Sequence, residues 1–262
     1  MMKLIMMMKK TIIWRLLLLS AWVLPMLIAC SSDNDNYDGS NDAVKNRRIT
    51  KIVNENYDIA FTYDVQGRVV QAVKTIDQKS MYRYTYQYNE TAISRDYEKE
   101  ELYPNGNTGY TNLKTSHYTL SNGLIVSEKE ETSNGQKIYR YNYDSDGYLV
   151  SIEEENGKSY SLTWTDGNLK QYMDNKLQID AHELSYTATP WPSGFIYPDI
   201  ILLNIDNILF GMGYFGKQPR TLLAQEPNTD FYYSYVYGDG TLISVIEEYG
   251  QSGNKVLNYC WE

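Results

Sequence analysis

The sequence is poor in several residue types that would point to a catalytic function. Its 262 residues include only two cysteines, two histidines and five phenylalanines. His117 and His182 do not belong to a cluster of ligand residues, whereas a zinc site needs three or four converging ligands. A serine or cysteine nucleophile needs a nearby base, and the sequence places neither histidine near one. We therefore expect no catalytic site, no metal and no cofactor.

Positive charge is also scarce, and part of it lies at the start of the chain. The sequence has 24 basic and 33 acidic residues. Lys3, Lys9, Lys10 and Arg15 accompany an apolar run of 13 residues, Leu16 to Ile28. That run is too short to cross a bilayer core, which requires roughly 20 residues. The arrangement is typical of a secretory signal peptide.

The apolar run ends in Leu-Ile-Ala-Cys, residues 27–30, which resembles the lipobox of bacterial lipoproteins. The resemblance implies that residues 1–29 are cleaved off and that Cys30 carries a diacylglycerol. The alternative is an ordinary signal peptide that contains a cysteine. Residues 30–47 are rich in Ser, Asp and Asn and predict a flexible acidic tether. We expect a lipid-anchored protein of the outer membrane, and the acidic tether resembles a surface-export signal.

Removal of the signal would leave an acidic protein. Residues 30–262 contain 20 basic and 33 acidic residues, a net charge of −13. Such a chain does not bind nucleic acid by neutralising phosphates. With Cys30 acylated, we expect the mature domain to be held together by burial rather than by a disulfide.

Aromatic composition indicates the kind of β-structure. The chain has 26 tyrosines against five phenylalanines. A buried phenol needs a hydrogen-bond partner, so a thick apolar core would favour phenylalanine. We expect a thin or curled sheet in which the tyrosine rings are packed and their hydroxyls reach solvent.

One pattern recurs along the chain: an aromatic strand, a turn ending in glycine, and an aliphatic strand. Clear copies are Phe61 to Val70 and Tyr141 to Val150, and weaker copies are Tyr118 to Ile125, Leu162 to Leu169 and Tyr235 to Leu242. Each copy places a glycine where a type I turn closed by a left-handed residue needs positive φ, at Gly67, Gly123, Gly147, Gly167 and Gly240. The spacing predicts an all-β domain over residues 48–262. We expect an antiparallel meander of about 12–16 strands, curled or barrel-like.

The turn sequences carry a resemblance to known proteins. Tyr-Asp-x-x-Gly at Tyr63 to Val69 and at Tyr143 to Leu149 looks like the tyrosine–aspartate repeats of Rhs-type and teneurin-type shells. With the lipobox, the acidic tether and the segment Gly211 to Arg220, the chain resembles a family of uncharacterised lipoproteins described as a domain of unknown function with a porin-like fold. The resemblance implies a fold for about residues 48–262 and no activity.

An apolar insertion, about residues 190–225, interrupts the meander. Its most apolar part runs from Ile200 to Phe210. Pro198 is suited to begin a helix, and Gly211 and Gly213 to end it. We expect a short helix or loop that fills the concave face of the sheet completely. Two more buried strands are the alternative.

Two candidate sites are outweighed by structural interpretations. Asn142 to Glu153 almost matches a calcium-binding EF-hand loop, but strands rather than helices flank it, which favours a hairpin turn. Several acidic clusters could supply the carboxylate pair of a glycosidase. Each cluster lies at a strand end, where charge keeps the sheet soluble.

The sequence therefore favours a non-catalytic envelope lipoprotein. We expect a binding or structural module that is attached to the membrane through Cys30. Its partner would be an unknown protein, a glycan or an apolar ligand. The alternatives are an outer-membrane pore or transport accessory with a porin-like barrel, and a carbohydrate-active enzyme.

Overall fold

The computed structural model describes residues 47–76, 80–102, 108–175, 182–197, 205–225, 231–249 and 253–262. The predicted signal peptide, Cys30 and almost all of the tether lie outside these ranges. So do Pro198 and the first part of the apolar run, residues 198–204. Within the described ranges, no helix is long and apolar enough to span a membrane.

The described residues form seventeen strands and one helix, which makes the domain all-β as predicted. Sixteen of the strands have five residues or more. The strands are β1 (Ile49–Val53), β2 (Tyr57–Tyr63), β3 (Val69–Ile76), β4 (Ser80–Tyr88), β5 (Ala92–Leu102), β6 (Thr108–Ser121), β7 (Leu124–Thr132), β8 (Gly135–Tyr143), β9 (Leu149–Glu154), β10 (Ser159–Thr165), β11 (Asn168–Asp174), β12 (His182–Glu183), β13 (Ser185–Pro190), β14 (Thr221–Gln225), β15 (Phe231–Gly238), β16 (Thr241–Tyr249) and β17 (Asn254–Trp261). The helix, α1, is Asn207–Gly211.

The strands form one antiparallel meander that is nearly closed and barrel-like. Consecutive strands pair with each other, and β1 pairs with both β2 and β17. Only Leu184 separates β12 from β13; β12 pairs with β11, and β13 pairs with β14. The seam between β14 and β15 is the sparsest, with one register pair, Gln225 and Tyr232. Ring closure leaves few open edges, which suits a sheet of this length.

The repeat places a glycine with positive φ in a hairpin turn five times, with two types of turn. All five turn glycines have positive φ, between 73° and 87°. At Gly67 and Gly147 the aspartate three residues before the glycine stabilises the turn. Asp144 Oδ1, for example, accepts the N–H groups of Asp146 and Tyr148 at 3.0 and 2.9 Å. The other three turns have two consecutive residues at positive φ, such as Asn122 and Gly123. They are therefore type I′ hairpins rather than the predicted type I turn with a left-handed residue.

Each copy also carries a β-bulge three residues after its glycine. The register shifts there, and the extra residues are Val70, Val126, Val150, Lys170 and Ile243. A bulge inserts an unpaired residue and bends the sheet. The residue just before each bulge points inwards and is at most 4% exposed, as for Val69 and Ile125 at 0%. The repeat thus curls the meander at five places.

The bulges explain part of the preference for tyrosine over phenylalanine. A bulge disrupts the hydrogen-bond ladder, so the carbonyl beside it needs another donor. Tyr88 donates to the Val69 carbonyl and Tyr143 to that of Ile125, both at 2.6 Å. Trp164 and Trp261 do the same for the Leu149 and Leu242 carbonyls at 2.7 Å. These hydroxyl and indole groups therefore bond the backbone inside the domain, whereas the sequence argument expected hydroxyls in solvent.

The apolar insertion occupies the interior of the curled sheet. Phe195, Leu209, Phe215 and Leu222 are completely buried there. The predicted helix exists, but the structure assigns it only five residues. Asp206 caps it, since its Oδ1 accepts the Leu209 N–H at 2.9 Å. The predicted start at Pro198 is wrong for α1, because the capping acceptor lies eight residues later.

Candidate functional site

A buried ionic cluster fixes the insertion to the wall of the sheet. Arg95 of β5 is 6% exposed, and its Nη1 donates to Asp206 Oδ2 at 2.5 Å. Its Nη2 donates to Ser116 Oγ at 2.8 Å. The same Asp206 oxygen accepts the hydroxyl of Tyr86 at 3.0 Å. One carboxylate thus caps α1 and joins it to β4 and β5.

A second carboxylate, Glu128 of β7, completes the cluster. Glu128 is 3% exposed, and its Oε2 accepts the Tyr141 hydroxyl at 2.8 Å. Its other oxygen lies 3.9 Å from Arg95 Nη2. Two carboxylates therefore flank one guanidinium, and Arg95 compensates only one of their two formal negative charges.

Glu247 of β16 plays a similar part on the other side of the interior. It is 3% exposed, and it accepts the Tyr197 hydroxyl at 2.5 Å. Lys255 Nζ lies 3.2 Å from its second oxygen, which also accepts the Tyr249 hydroxyl. This contact attaches the segment before α1 to the sheet.

The buried phenols in these clusters remain protonated over a wide pH range. Burial raises the pKa of Tyr86 well above its usual value, and the charge of Asp206 adds to the effect. Burial and Glu128 do the same for the pKa of Tyr141, and burial and Glu247 for that of Tyr197. These hydroxyls therefore act as hydrogen-bond donors to carboxylates.

The insertion does not fill the interior evenly. Against β9 to β11 it leaves a gap of about 30 Å³ with apolar walls. Against β2 to β6 it leaves a cavity of about 280 Å³. The expectation of complete filling is therefore wrong on the β2–β6 side, where a cavity remains although Asp206 contacts Tyr86 and Arg95 of the wall.

Three rows of residues that are paired across neighbouring strands form the wall of this cavity. The middle row crosses five neighbouring strands and consists of Phe61, Ala72, Tyr84, Tyr97 and Lys114. The row nearer the repeat turns pairs Tyr86 with Arg95, and the row farther from them pairs Ile59 with Lys74. All nine of these side chains line the cavity, together with Ile196, Ile205, Asp206, Asn207 and Ile208 of the insertion.

An open basin lies at the end where the repeat turns are found. It has a volume of about 520 Å³, and three arginines line it: Arg47, Arg48 and Arg68. Arg68 is paired with Asp64, and its guanidinium lies 4.6 Å from the Tyr88 ring centre. Met212, Tyr214 and Gln218, which follow α1, also line the basin. The start of α1 therefore faces the cavity, while the chain after it faces the basin.

Most of the residues that the sequence offers as candidate metal or catalytic sites have structural roles. The segment Asn142 to Glu153 forms a hairpin turn, in which backbone N–H groups use Asp144 Oδ1. His117 is exposed on β6. Within the part of the chain that the structure describes, no three His, Cys, Asp or Glu residues are grouped to hold a metal ion. Cys260 of β17 is not a free thiol, which differs from the expected absence of a disulfide, and Cys30 lies outside the described residues.

The local sequence does not distinguish the buried ions. Asp206 lies within the apolar run Ile200 to Phe210, and Glu128 belongs to one of the acidic clusters, Glu128 to Glu131. The bulge at Val126 turns Glu128 inwards, because it shifts the alternation of β7 by one residue. A bulge predicted three residues after each turn glycine would have located Glu128 in the interior.

The fold places the protein among porin-like domains. The family model of a domain of unknown function with a porin-like fold, DUF4595, matches residues 61–243. The chain belongs to this family, as the resemblance implied.

Two solved structures share the fold. A porin-like protein from Bacteroides uniformis has a TM-score of 0.52 and 18% identity, over 82% of this chain and 96% of that one. A porin-like protein from Bacteroides vulgatus has a TM-score of 0.51 and 10% identity, over 81% and 97%. No curated protein matches the chain.

Proposed function

We propose that this protein is a non-catalytic, membrane-anchored envelope module that binds a small ligand in the β2–β6 cavity. The observation that carries the proposal is the uneven filling of the interior. A cavity of about 280 Å³ remains between tyrosine-bearing strands and a fixed insertion. It lies near the lower end of the range of small-molecule sites, roughly 300 to 1,000 Å³. A ligand of one sugar ring suits this size.

The lining suits a ligand with both apolar and hydrogen-bonding surfaces. Tyr84 and Tyr97 stack on each other with ring centres 4.7 Å apart. Phe61, Ile59 and Ile208 add apolar contacts, while lysine and asparagine side chains add polar ones. A sugar ring has an apolar face and a polar edge, and tyrosine presents the same combination. A glycan fragment therefore fits better than a purely apolar ligand.

The position of α1 favours binding over transport through the interior. The start of α1 lines the cavity, and the residues that follow α1 line the basin at the end of the sheet where the repeat turns are found. The ionic contact of Asp206 with Arg95 holds α1 to the wall between them. A pore would require this segment to leave, which would separate buried charges at a large free-energy cost.

The carboxylates near the cavity do not suit catalysis. Asp206 already accepts hydrogen bonds from Leu209, Tyr86 and Arg95. A glycosidase needs one carboxylic acid with a raised pKa beside a carboxylate. Both oxygens of Asp206 are engaged in these contacts, so Asp206 does not offer a free carboxyl group to a substrate.

Membrane attachment through Cys30 is supported by the lipobox and the signal peptide. A thioether to diacylglycerol uses the Cys30 thiol, so acylation and a disulfide to this residue exclude each other. Cys30→Ser should abolish fatty-acid labelling and release the protein from membranes. Membrane retention and labelling that do not change would contradict the anchor.

Ligand binding is tested by calorimetric titration of the purified domain with hexoses, uronic acids and alkanols. We expect one of the sugar classes to bind. Ala72→Phe should abolish that binding, because Ala72 lies in the middle row of the cavity wall and is completely buried. Tyr97→Ala is a second variant, which enlarges the cavity rather than filling it. Binding that is unchanged in both folded variants, or no binding of any sugar, would contradict the proposal.

A further inference from the structure

We infer that Arg95 binds the ligand of the β2–β6 cavity directly, by donating its Nε–H to a hydroxyl oxygen of a neutral sugar. This inference rests on the proposed function and specifies the ligand class and one contact. Arg95 lines the cavity and is 6% exposed. Within the part of the chain that the structure describes, its Nε–H has no acceptor. A ligand oxygen in the cavity would supply the acceptor that this buried donor needs.

The other two nitrogens of Arg95 are held in place, and they hold Nε with them. Nη1 donates to Asp206 Oδ2 at 2.5 Å, and Nη2 donates to Ser116 Oγ at 2.8 Å. Because a guanidinium is planar and rigid, these two contacts also fix the direction of the Nε–H. The donor is therefore ordered before a ligand arrives, which reduces the entropy lost on binding.

The chemistry of this donor makes the contact a strong one. A buried donor that lacks an acceptor is costly, and the cost is larger when the group is charged. The guanidinium of Arg95 is always charged in a protein. Hydrogen bonds from charged donors are also stronger than those between neutral groups. A sugar hydroxyl that reaches Nε therefore gains more than an ordinary hydrogen bond.

The position of Arg95 beside the tyrosines suits a single sugar ring. Arg95 and Tyr97 are two residues apart on β5, so both side chains lie on the inner face of the sheet. Their backbone positions are about 7 Å apart along the strand. Tyr97 stacks on Tyr84, and both rings line the cavity. One sugar ring can therefore contact an aromatic ring and the Nε–H at the same time.

The charges beside Arg95 favour a neutral ligand over an anion. Asp206 and Glu128 lie 2.5 and 3.9 Å from the guanidinium nitrogens. One positive charge therefore stands against two formal negative charges in a site that is shielded from water. A carboxylate on the ligand would add a further negative charge next to this group, which costs free energy.

The two lysines of the lining do not reverse this preference. Lys114 Nζ lies 2.8 Å from Glu130 Oε2, so its charge is already compensated. Lys74 has a partner as well, since its Nζ lies 3.9 Å from the centre of the Tyr57 ring. Neither lysine therefore supplies a surplus positive charge that would hold an anion.

NMR observes the proposed contact directly, because arginine Nε–H signals are separate from backbone amide signals. The isotope-labelled domain is titrated with glucose and with galactose. With the hexose that binds, we expect the Arg95 Nε–H signal to shift downfield and its hydrogen exchange to slow. Arg83 is the matched control, because its Nε already donates to Glu98 at 2.8 Å and it does not line the cavity. Its signal should not move.

Ligand analogues identify the oxygen and test the charge preference. Calorimetry measures the affinity for the monodeoxy analogues of that hexose, each of which lacks one hydroxyl. One analogue should bind about tenfold more weakly or worse, as expected when a hydrogen bond from a charged donor is lost. That analogue should also leave the Arg95 signal at its position in the free domain. The uronate of the same sugar should bind about tenfold more weakly than the hexose, because its charge is buried beside the carboxylates.

A cavity variant links the NMR signal to binding. Ala72→Phe, which fills the middle of the wall, should abolish the binding of the hexose and the ligand-induced shift of Arg95 together. A shift of Arg95 that persists in the folded variant would place the sugar outside the cavity and overturn the inference.

The outcomes separate this inference from the binding function. A hexose that binds without moving the Arg95 signal, or monodeoxy analogues that all bind equally well, would overturn the contact and leave the binding function standing. A uronate that binds more tightly than its hexose would overturn the preference for neutral sugars. No binding of any of these sugars would overturn the inference and the binding function together.

Discussion

The charge of Asp206 should be essential for holding the insertion in the domain. Asp206→Asn keeps one oxygen, which can still cap α1, but an NH2 group replaces the oxygen that accepts from Tyr86 and Arg95. Arg95 is then buried without its close counter-ion. Breaking a buried ion pair costs about 3 to 5 kcal/mol. Glu128, 3.9 Å from Arg95, offsets part of this loss, so we expect about 3 kcal/mol. The melting temperature of a domain of this size should fall by about 6 to 12 °C.

A double-mutant cycle isolates the contact. Arg95→Met alone leaves Asp206 unpaired, whereas the double variant removes both charges. We expect the double variant to be more stable than the sum of the single losses by about 2 kcal/mol or more. Urea unfolding followed by circular dichroism measures each value. Glu183→Gln is the control, because Glu183 is exposed and lies 3.6 Å from Lys170. Strictly additive losses, or no loss for Asp206→Asn, would refute the reasoning.

Three further predictions concern the turns, the insertion and pH. Gly147 has φ of 87° and open space around it, so Gly147→Val should destabilise the domain by about 1 to 3 kcal/mol through backbone strain alone. Gly147→Asn should cost less, and equal urea midpoints for the two variants would contradict this explanation. Leu209→Ala should cost about 2 to 5 kcal/mol, because Leu209 is completely buried. Ile205→Ala should cost less, since Ile205 is only partly buried, and the reverse order in thermal melts would contradict the packing described. Tyr86, Tyr118, Tyr141 and Tyr197 have pKa values well above 10 in the fold. Unfolded tyrosine titrates near 10, so the unfolded state loses protons first, and stability should be constant below about pH 10 and fall above it by about 1.4 kcal/mol per pH unit for each residue. A free energy of unfolding that stays constant between about pH 10 and pH 11 would contradict this prediction.

The hairpin pattern could be predicted from the sequence because it is local. Turn glycines, alternation and strand length depend on residues a few positions apart, and they predicted an all-β meander. The bulges could not be predicted in this way, because one extra residue per strand is visible only in the pairing with the next strand. Their effect is large: the bulge at Val126 turns Glu128 inwards.

The interior could be predicted only in part. The apolar run indicated a segment inside the curled sheet, and α1 lies there. The contact between Arg95 and Asp206 joins residues 111 positions apart, and nothing in either local sequence distinguishes a buried ion from a surface one. The cavity depends on side-chain volumes from five strands and the insertion, so no single segment predicts it.

The most direct test of the account is to map where a ligand binds. Two-dimensional NMR spectra of the isotope-labelled domain, recorded during titration with hexoses and uronic acids, report shifts at each backbone amide. The account predicts that the largest shifts lie in the register row of Ala72, Tyr84 and Tyr97 and at Asn207 of α1. Shifts confined to the basin near Arg48 and Arg68, or no shifts with any of these sugars, would contradict it.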